Sequence, residues 1–475
     1  MAKLLFLQNI EYEFLGPMYV SSMIKSHGHE CELAIGESLD DFEMKILSFQ
    51  PDLVAFSVMS GSHHWGKEIA IQVKNKFRIK NIFGGAHPTF FPEFVMEQGI
   101  DYLVRGEGEE AMLAILDCIS RGENFESTPN LSYKKENKAV HNPLRNLLAD
   151  VDDYPLPDRD LYNSLNGHLD RHVRNIITSR GCPFHCSFCF EDAMRELYKG
   201  KGKYVRIRNI DKVIEECKRL KEHTDVRVIY FADDVFGMKK EWLYDFLKAY
   251  KQEIDLPFIC LVRADIVASD EQYAQQLADA GCKSVFFGVE SGNEKLRNDV
   301  LVKQLTNDQI LRAAKLLHDA GIKFRTYNIV GLPDETLEDA FSTVEMNIKI
   351  KADYPWCSIF SPFPGTALTD YAFAKGYLSP TFEYEKLSKS FFLESQLAMP
   401  HIRQLQNLQK LFQTAVLWPW TFGVIKQLIK LPPNILFKAW FGLIYFYVYV
   451  KSEQRSIFST LRFALKNYRH VLAKE

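Results

Sequence analysis

Along the first part of the chain, short apolar runs alternate with amphipathic stretches. Lys3–Asn9, Glu30–Ile35, Asp52–Met59, Lys80–Phe83 and Asp101–Val104 read as β-strands, and the segments between them carry helical period. That rhythm predicts a parallel sheet with helices on both faces, a Rossmann-like (flavodoxin-like) arrangement. Four loops follow predicted strands: Asn9–Gly16, Ser57–Gly61, the Gly84-Gly85-Ala86-His87 run, and Arg105-Gly106-Glu107-Gly108. They should gather at the carboxyl edge of the sheet, where such folds bind ligands.

A second alternation begins at Arg174. Strand-like runs at Arg174–Thr178, Arg227–Phe231, Phe258–Val262, Ser284–Val289, Lys323–Ile329 and Trp356–Phe360 are separated by helical patterns at Ile210–His223, Lys240–Glu253, Asp270–Gly281, Thr306–Gly321 and Glu335–Lys351. Gly281 and Gly321 stand where helix C-caps belong. The economical reading is a (β/α)6 partial TIM barrel. Between the two alternations the chain is polar, with Pro143, Pro155 and Pro157 among Asp150, Asp152 and Asp153, which suits a surface linker. The expected organisation of this α/β chain is therefore a first domain over residues 1–125, a linker over 126–170, a barrel over 171–378 and a mostly helical region over 379–475.

Composition narrows the picture. The chain has 475 residues, 47% of them hydrophobic and 25% charged, with a formal net charge of -3. That is a folded multidomain protein without a nucleic-acid footprint. Nine cysteines are scattered apart from one cluster, which points to a reducing, cytoplasmic setting. The N-terminal apolar run lacks a small-residue cleavage site and reads as a first strand. The longest apolar tract, Ile435–Val450, is interrupted by Lys438 and falls short of the roughly 20 residues that span a bilayer. Its aromatic residues and the nearby Lys426, Lys430 and Lys438 suit a peripheral membrane surface, a greasy substrate lid or a plain packed helical domain.

The cysteine cluster carries the chemistry. Cys182, Cys186 and Cys189 are spaced C-x3-C-x2-C directly after the first barrel strand. A structural zinc site wants four protein ligands, and no second CxxC pair is present. Three thiolates suit an iron–sulfur cluster with one iron left open. Buried core thiols are the bland alternative. A loop at the carboxyl face of a barrel is also where barrel enzymes place their sites.

Seven phrases extend this reading: F-G-G-A-H-P-T (83–89), R-G-E-G-E (105–109), D-D-Y-P-L-P-D-R (152–159), T-S-R-G-C-P-F-H-C-S-F-C (178–189), F-A-D-D-V-F (231–236), G-V-E-S-G (288–292) and I-V-G-L-P (329–333). Through them residues 1–378 resemble the cobalamin-binding-domain class of radical S-adenosylmethionine proteins, which includes carbon and phosphorus methylases and an anaerobic tetrapyrrole cyclase. The resemblance implies a 4Fe–4S cluster on Cys182, Cys186 and Cys189, with S-adenosylmethionine and cobalamin as further cofactors. It also implies that Phe188 packs near adenine and that Asp233, Asp234, Arg263, Glu290 and Ser291 contact S-adenosylmethionine. Each has a duller reading: Arg263 as an ion-pair partner, Glu290 as a helix cap, Asp233 and Asp234 as a turn or N-cap.

In the first domain the implied cobalamin contacts are Glu13, Gly16, Ser57, Gly84, Gly85, His87, Gly106 and Glu107. Many cobalamin domains place D-x-H-x-x-G after the first strand. Alignment on Gly16 puts Glu13 at the His position, and a carboxylate is a poor match for low-valent cobalt. Cobalamin is therefore expected without a His below the metal. His63, His64 and His185 lack ligand spacing and read as surface or packing residues.

The function implied is methylation of an unactivated carbon in a hydrophobic or natural-product substrate, through a 5′-deoxyadenosyl radical and methylcobalamin. An external donor of flavodoxin or ferredoxin type would supply electrons. Radical cyclisation or oxidation of the tetrapyrrole type is the enzymatic alternative. A non-catalytic cobalamin or redox sensor is the alternative of another kind.

Overall fold

The computed structural model describes residues 1–163, 171–384, 387, 392, 394–458, 460–462 and 465. The chain divides into two compact units, Met1–Leu169 with Met194–Tyr204, and Asp170–Ala193 with Val205–Glu475.

In the first unit β1 (Lys3–Gln8), β2 (Glu30–Ile35), β3 (Leu53–Ser57), β4 (Lys80–Gly84) and β5 (Tyr102–Val104) pair in parallel in the order β2-β1-β3-β4-β5. Side chains alternate between two cores. Leu4, Phe6, Leu53, Ala55, Ile82, Tyr102 and Val104 enter one, whereas Leu5, Leu7, Val54, Phe56, Phe83 and Leu103 enter the other. The strands read as unbroken apolar runs because both faces are covered by helices.

The stretch expected to run as a linker is largely structured. β6 (Leu131–Lys135) pairs antiparallel with β5, and β7 (Lys138–His141) extends the sheet to seven strands. Glu136 and Asn137 join β6 to β7 with φ of 48° and 58°, the left-handed pair of a tight hairpin turn. The turn contains no glycine, so its signal is weak in the sequence. Farther on, Asp158 accepts hydrogen bonds from Ser21 Oγ and Lys25 Nζ at 2.6 Å, and Tyr162 OH donates to Gln8 Oε1 at 2.8 Å. The Asp152–Arg159 phrase thus buttresses helix Leu15–Ser26, and Tyr162 just beyond it holds the end of β1. Residues 164–170 of the expected linker and 466–475 of the C-terminal region lie outside the described residues.

In the second unit β8 (Val173–Ile176) is followed by a two-stranded antiparallel pair, β9 (Ser179–Arg180) and β10 (Arg206–Ile207). β11 (Val228–Phe231), β12 (Phe258–Leu261), β13 (Cys282–Glu290), β14 (Lys323–Val330) and β15 (Tyr354–Ile359) then continue from β8 as six parallel strands in chain order. β8 and β15 are unpaired edges, so the barrel is open. Three of the helix starts are tied locally: Asn209 Oδ1 accepts from the Asp211 N–H, and Thr306 with Gln309 and Thr336 with Asp339 form capping boxes.

Helices Ile402–Leu417 and Ile435–Ser452 pack on the edge strand β15 and on each other. Gln409 Nε2 donates to the Cys357 carbonyl at 2.9 Å. Arg325 Nη1 donates to Glu453 at 3.2 Å, and its guanidinium lies 4.2 Å from the Phe286 ring and 4.6 Å from that of Trp356. Glu453, just past helix Ile435–Ser452, is thereby paired with the strand β14 guanidinium that stacks on Phe286 and Trp356. Among the described residues no helix is long and apolar enough to cross a membrane.

Candidate active site

In the second unit the three cysteines lie on the loop between β9 and helix Phe190–Leu197. Cys182 and Cys186 are buried and Cys189 is half-buried. The Cys189 N–H donates to the Cys186 carbonyl at 3.1 Å, and Ser187 anchors the loop through its N–H to Leu301 O and its Oγ to Val300 O. Burial pushes the thiol of Cys182 up to about 11 and that of Cys189 up to about 12, so ligation must displace protons. Among the described residues no three His, Cys, Asp or Glu side chains form a preassembled metal group.

Several predicted residues converge beside this loop. Arg263, at the end of β12, donates to Cys186 Sγ at 3.8 Å and to the Lys303 carbonyl at 2.9 Å, and stacks 3.6 Å from the Phe184 ring. It is also paired with Asp265 at 3.0 Å, as its duller reading held. Glu290, at the end of β13, forms a buried ion pair with Lys303 at 2.8 Å. Its φ is 61°, at a register irregularity between β13 and β14, and a Cβ on Gly288 would lie 1.8 Å from its Oε1. Lys303 Nζ in turn lies 5.7 Å from the Phe188 ring. Lys303 was not legible in the sequence: it stands 13 residues beyond Glu290, in a loop with no motif.

Asp233, at the end of β11, is held by the Thr178 N–H and Oγ1 at 2.9 Å and by Ser179 Oγ at 2.6 Å. Its Oδ2 is buried with no hydrogen-bond partner, and burial raises the carboxyl to about 6. Asp234 is exposed at the same strand end. Ser291 is fully buried, with its Oγ accepting from the Asn293 N–H and its carbonyl from Arg297 Nη1, so it shapes the turn after β13. His185 is exposed beside Asp192.

The first unit presents a different edge. Gly84 ends β4 and Gly85 follows it, with φ 99° and Val58 O only 2.6 Å from where a Cβ would lie. No other residue fits there. His87 is buried, with Nδ1 3.0 Å from Ser60 Oγ, and stacks on buried His63 at 3.7 Å between centroids. His64 lies 3.9 Å from His63, so two residues read from the sequence as ordinary stand with His87. Burial lowers His63 to about 2 and His87 to about 4, keeping both neutral, and neither Nε2 has a hydrogen-bond partner. Ser57 is exposed at the end of β3, and Gly16 is exposed in the first turn of helix Leu15–Ser26. Glu13 pairs with Arg159 at 3.8 Å. Gly106 has φ 73° and faces Tyr198, whose OH accepts from the Glu107 N–H at 2.8 Å.

These features fit the implied cofactors. Three loop thiols suit a cluster, and the orphaned Asp233 oxygen and the Glu290–Lys303 pair suit a ligand bearing both charges. A glycine edge beside two neutral imidazoles whose Nε2 atoms lack partners suits a bulky polar tail.

Fold and sites together define a two-module α/β protein, with a ligand-binding parallel sheet and a cysteine-bearing partial barrel. Family models match accordingly: the radical SAM superfamily over residues 176–346 and the B12 binding domain over residues 11–116. An uncharacterised methyltransferase of Pyrococcus horikoshii is 31% identical over 77% of this chain and 79% of its own length. The anaerobic magnesium-protoporphyrin IX monomethyl ester cyclase of Rubrivivax gelatinosus is 26% identical over 78% of this chain and 67% of its own. The methyltransferase TsrM from Kitasatospora setae, solved with tryptophan substrate and a SAM analogue, shares the fold with a TM-score of 0.71. It is 17% identical, with 89% of this chain and 90% of that one covered. The chain belongs to the cobalamin-dependent radical SAM methyltransferase family, enzymes whose cofactors are a 4Fe–4S cluster, S-adenosylmethionine and cobalamin.

Proposed function

We propose that this enzyme methylates an unactivated carbon of a hydrophobic small molecule. The observation that carries the reading is the presence in one chain of a B12-binding sheet and a three-cysteine barrel loop, in a sequence 31% identical to an uncharacterised methyltransferase. When bound, the cofactors supply a 5′-deoxyadenosyl radical and a transferable methyl group, and the protein contributes positioning and electrostatics.

On this reading Cys182, Cys186 and Cys189 hold the cluster, and Arg263 lends positive charge beside Cys186. Glu290 and Lys303 orient the amino acid moiety of S-adenosylmethionine through opposite charges held in a dry site, where such contacts are strong. Phe188 supplies an apolar wall, and Asp233 orders the Thr178–Ser179 backbone leading into the cysteine loop. In the first unit the Gly84–Gly85 edge admits the cofactor tail closely, with His63 and His87 donating through Nε2. Glu13, at the position where many cobalamin domains carry a His, is paired with Arg159 and would not itself ligate cobalt when cobalamin binds. Electrons come from a flavodoxin- or ferredoxin-type donor. The location is cytoplasmic, with peripheral membrane contact.

Product analysis tests the reading. Methyl transfer forms S-adenosylhomocysteine and 5′-deoxyadenosine together, whereas 5′-deoxyadenosine alone would favour cyclisation. That second reading has its own support in the cyclase relative. Nitrogen splitting in the paramagnetic spectrum of bound cob(II)alamin would overturn the assignment of Glu13.

A further inference from the structure

Nineteen large hydrophobic side chains are exposed among the described residues, and thirteen of them lie between Trp418 and Leu465. Exposed apolar residues scattered singly need no explanation, but a concentration of this kind marks an interaction surface. Helix Ile435–Ser452 shows the pattern most clearly. Phe441, Ile444 and Val448 are buried in a cluster with Trp356 and Phe392, and Ser452 is buried on the same side. The other face carries Leu436, Trp440, Leu443 and Tyr447, spaced four, three and four residues apart, all exposed. The helix is thus apolar all round while only one side is packed.

The charges on these helices identify what covers the outer face. From Ser395 to Ser452 there is no Asp or Glu, and from Ser395 to the end eleven Lys and Arg stand against two Glu. The whole chain has a net charge of -3, so the first 394 residues carry an excess of twelve acidic groups. Lys430, Lys438 and Lys451 are exposed in the same segment, while Lys426 is partly engaged by Glu345 and the Phe341 and Phe422 rings. A second copy of this chain would bring like charges together. An anionic bilayer offers lipid to Leu and Trp and phosphate to Lys. Trp440 is anchored through Nε1 to Thr414 Oγ1 at 2.8 Å, while Trp420 projects into solvent, and such amphipathic rings favour the headgroup level. No described helix can cross a membrane, which leaves docking on its surface.

We infer that residues 418–465 dock the enzyme on an anionic bilayer, with the Leu436–Tyr447 face at the acyl boundary and Lys430, Lys438 and Lys451 among the phosphates. The inference rests on the hydrophobic-substrate part of the function above and deepens it: the substrate is drawn from the lipid phase.

The test is flotation of the full chain with vesicles of phosphatidylcholine alone or mixed with phosphatidylglycerol. Wild type should float with the anionic vesicles at low salt and about tenfold less with the neutral ones. The L436E/L443E variant should lose flotation, and K430E/K438E/K451E should lose roughly fivefold or more and its salt dependence. If the leucine variant misfolds, the exposed lysine triple still decides. Wild type that floats with neither vesicle, or variants that float like wild type, would overturn the inference. So would a solution dimer that L436E/L443E dissolves, since the face would then belong to a second copy. Turnover measured alongside separates the two claims: methyl transfer without flotation removes only the docking, and flotation without S-adenosylmethionine turnover removes only the proposed function.

Discussion

The two strand-end sites differ in kind. The barrel mouth is built from buried ionisable groups: Glu290 paired with Lys303, Arg263 with Asp265 and the sulfur of Cys186, and Asp233 hydrogen-bonded by two hydroxyls and an N–H. The carboxyl edge of the first sheet is built from glycines and neutral imidazoles, with Gly85 pressed against Val58 and His63 stacked on His87. Buried charges without partners are expensive, so a site made of them is matched to a small charged ligand. A site of bare backbone costs little to desolvate and accepts a large ligand by shape. Substitutions should therefore act through electrostatics at the barrel mouth and through sterics at the sheet edge.

The largest effect belongs to the cysteines. Cys182→Ala, Cys186→Ala or Cys189→Ala should remove bound iron and lower S-adenosylmethionine cleavage by more than about 1,000-fold, a loss of about 4 kcal/mol of transition-state stabilisation. Half-buried Cys118 is the control, and Cys118→Ala should retain iron in the same assay. Iron retained by any of the three variants would remove that residue from the ligand set.

Next comes the buried ion pair. Glu290→Gln leaves the Lys303 ammonium buried without its counter-charge, which costs roughly 3–5 kcal/mol. S-adenosylmethionine affinity should fall at least about tenfold with it. Combining Glu290→Gln with Lys303→Met should recover much of the stability and none of the affinity, as read by denaturant unfolding and calorimetric titration. Recovery of both would show the pair to be structural only.

At the sheet edge, Gly85→Ala places a methyl 2.6 Å from a backbone oxygen at φ 99°. A loss of about 2–3 kcal/mol in the first unit is expected, together with loss of cobalamin binding followed by absorbance. Unchanged binding would mean that the cofactor approaches elsewhere.

The dependence on pH comes last and is similar in size to the effect of Gly85→Ala. His87 titrates at about 4 when folded and near 6.5 when unfolded, and His63 is lower still. The unfolded chain takes up protons below about pH 6.5 that the folded unit refuses, so this stability is complete above 6.5 and lost as pH falls towards 4. His87 alone accounts for roughly 3 kcal/mol across that window. Unfolding followed at pH 7 and pH 5 should show the decline, and His87→Asn, which keeps a side-chain partner for Ser60, should make it shallower while the share of His63 remains.

Much of this protein was determined by its sequence alone. The parallel strands of both sheets and the helices Ile210–His223 and Lys240–Glu253 were legible, because burial on both faces makes the strands continuous apolar runs and burial on one face imposes period 3.6 on the helices. The cysteine loop was legible because its three donors lie within eight residues. What the tertiary structure decided is of another kind. Lys303 reaches Glu290, His63 and His64 gather with His87, Arg159 claims Glu13, and β6 and β7 form where a linker was expected. In each case the energy comes from groups brought together across loops, by desolvation and by backbone pairing at a sheet edge. Neither leaves a local period, so only the folded chain reveals which charge is paired and which apolar face is left uncovered.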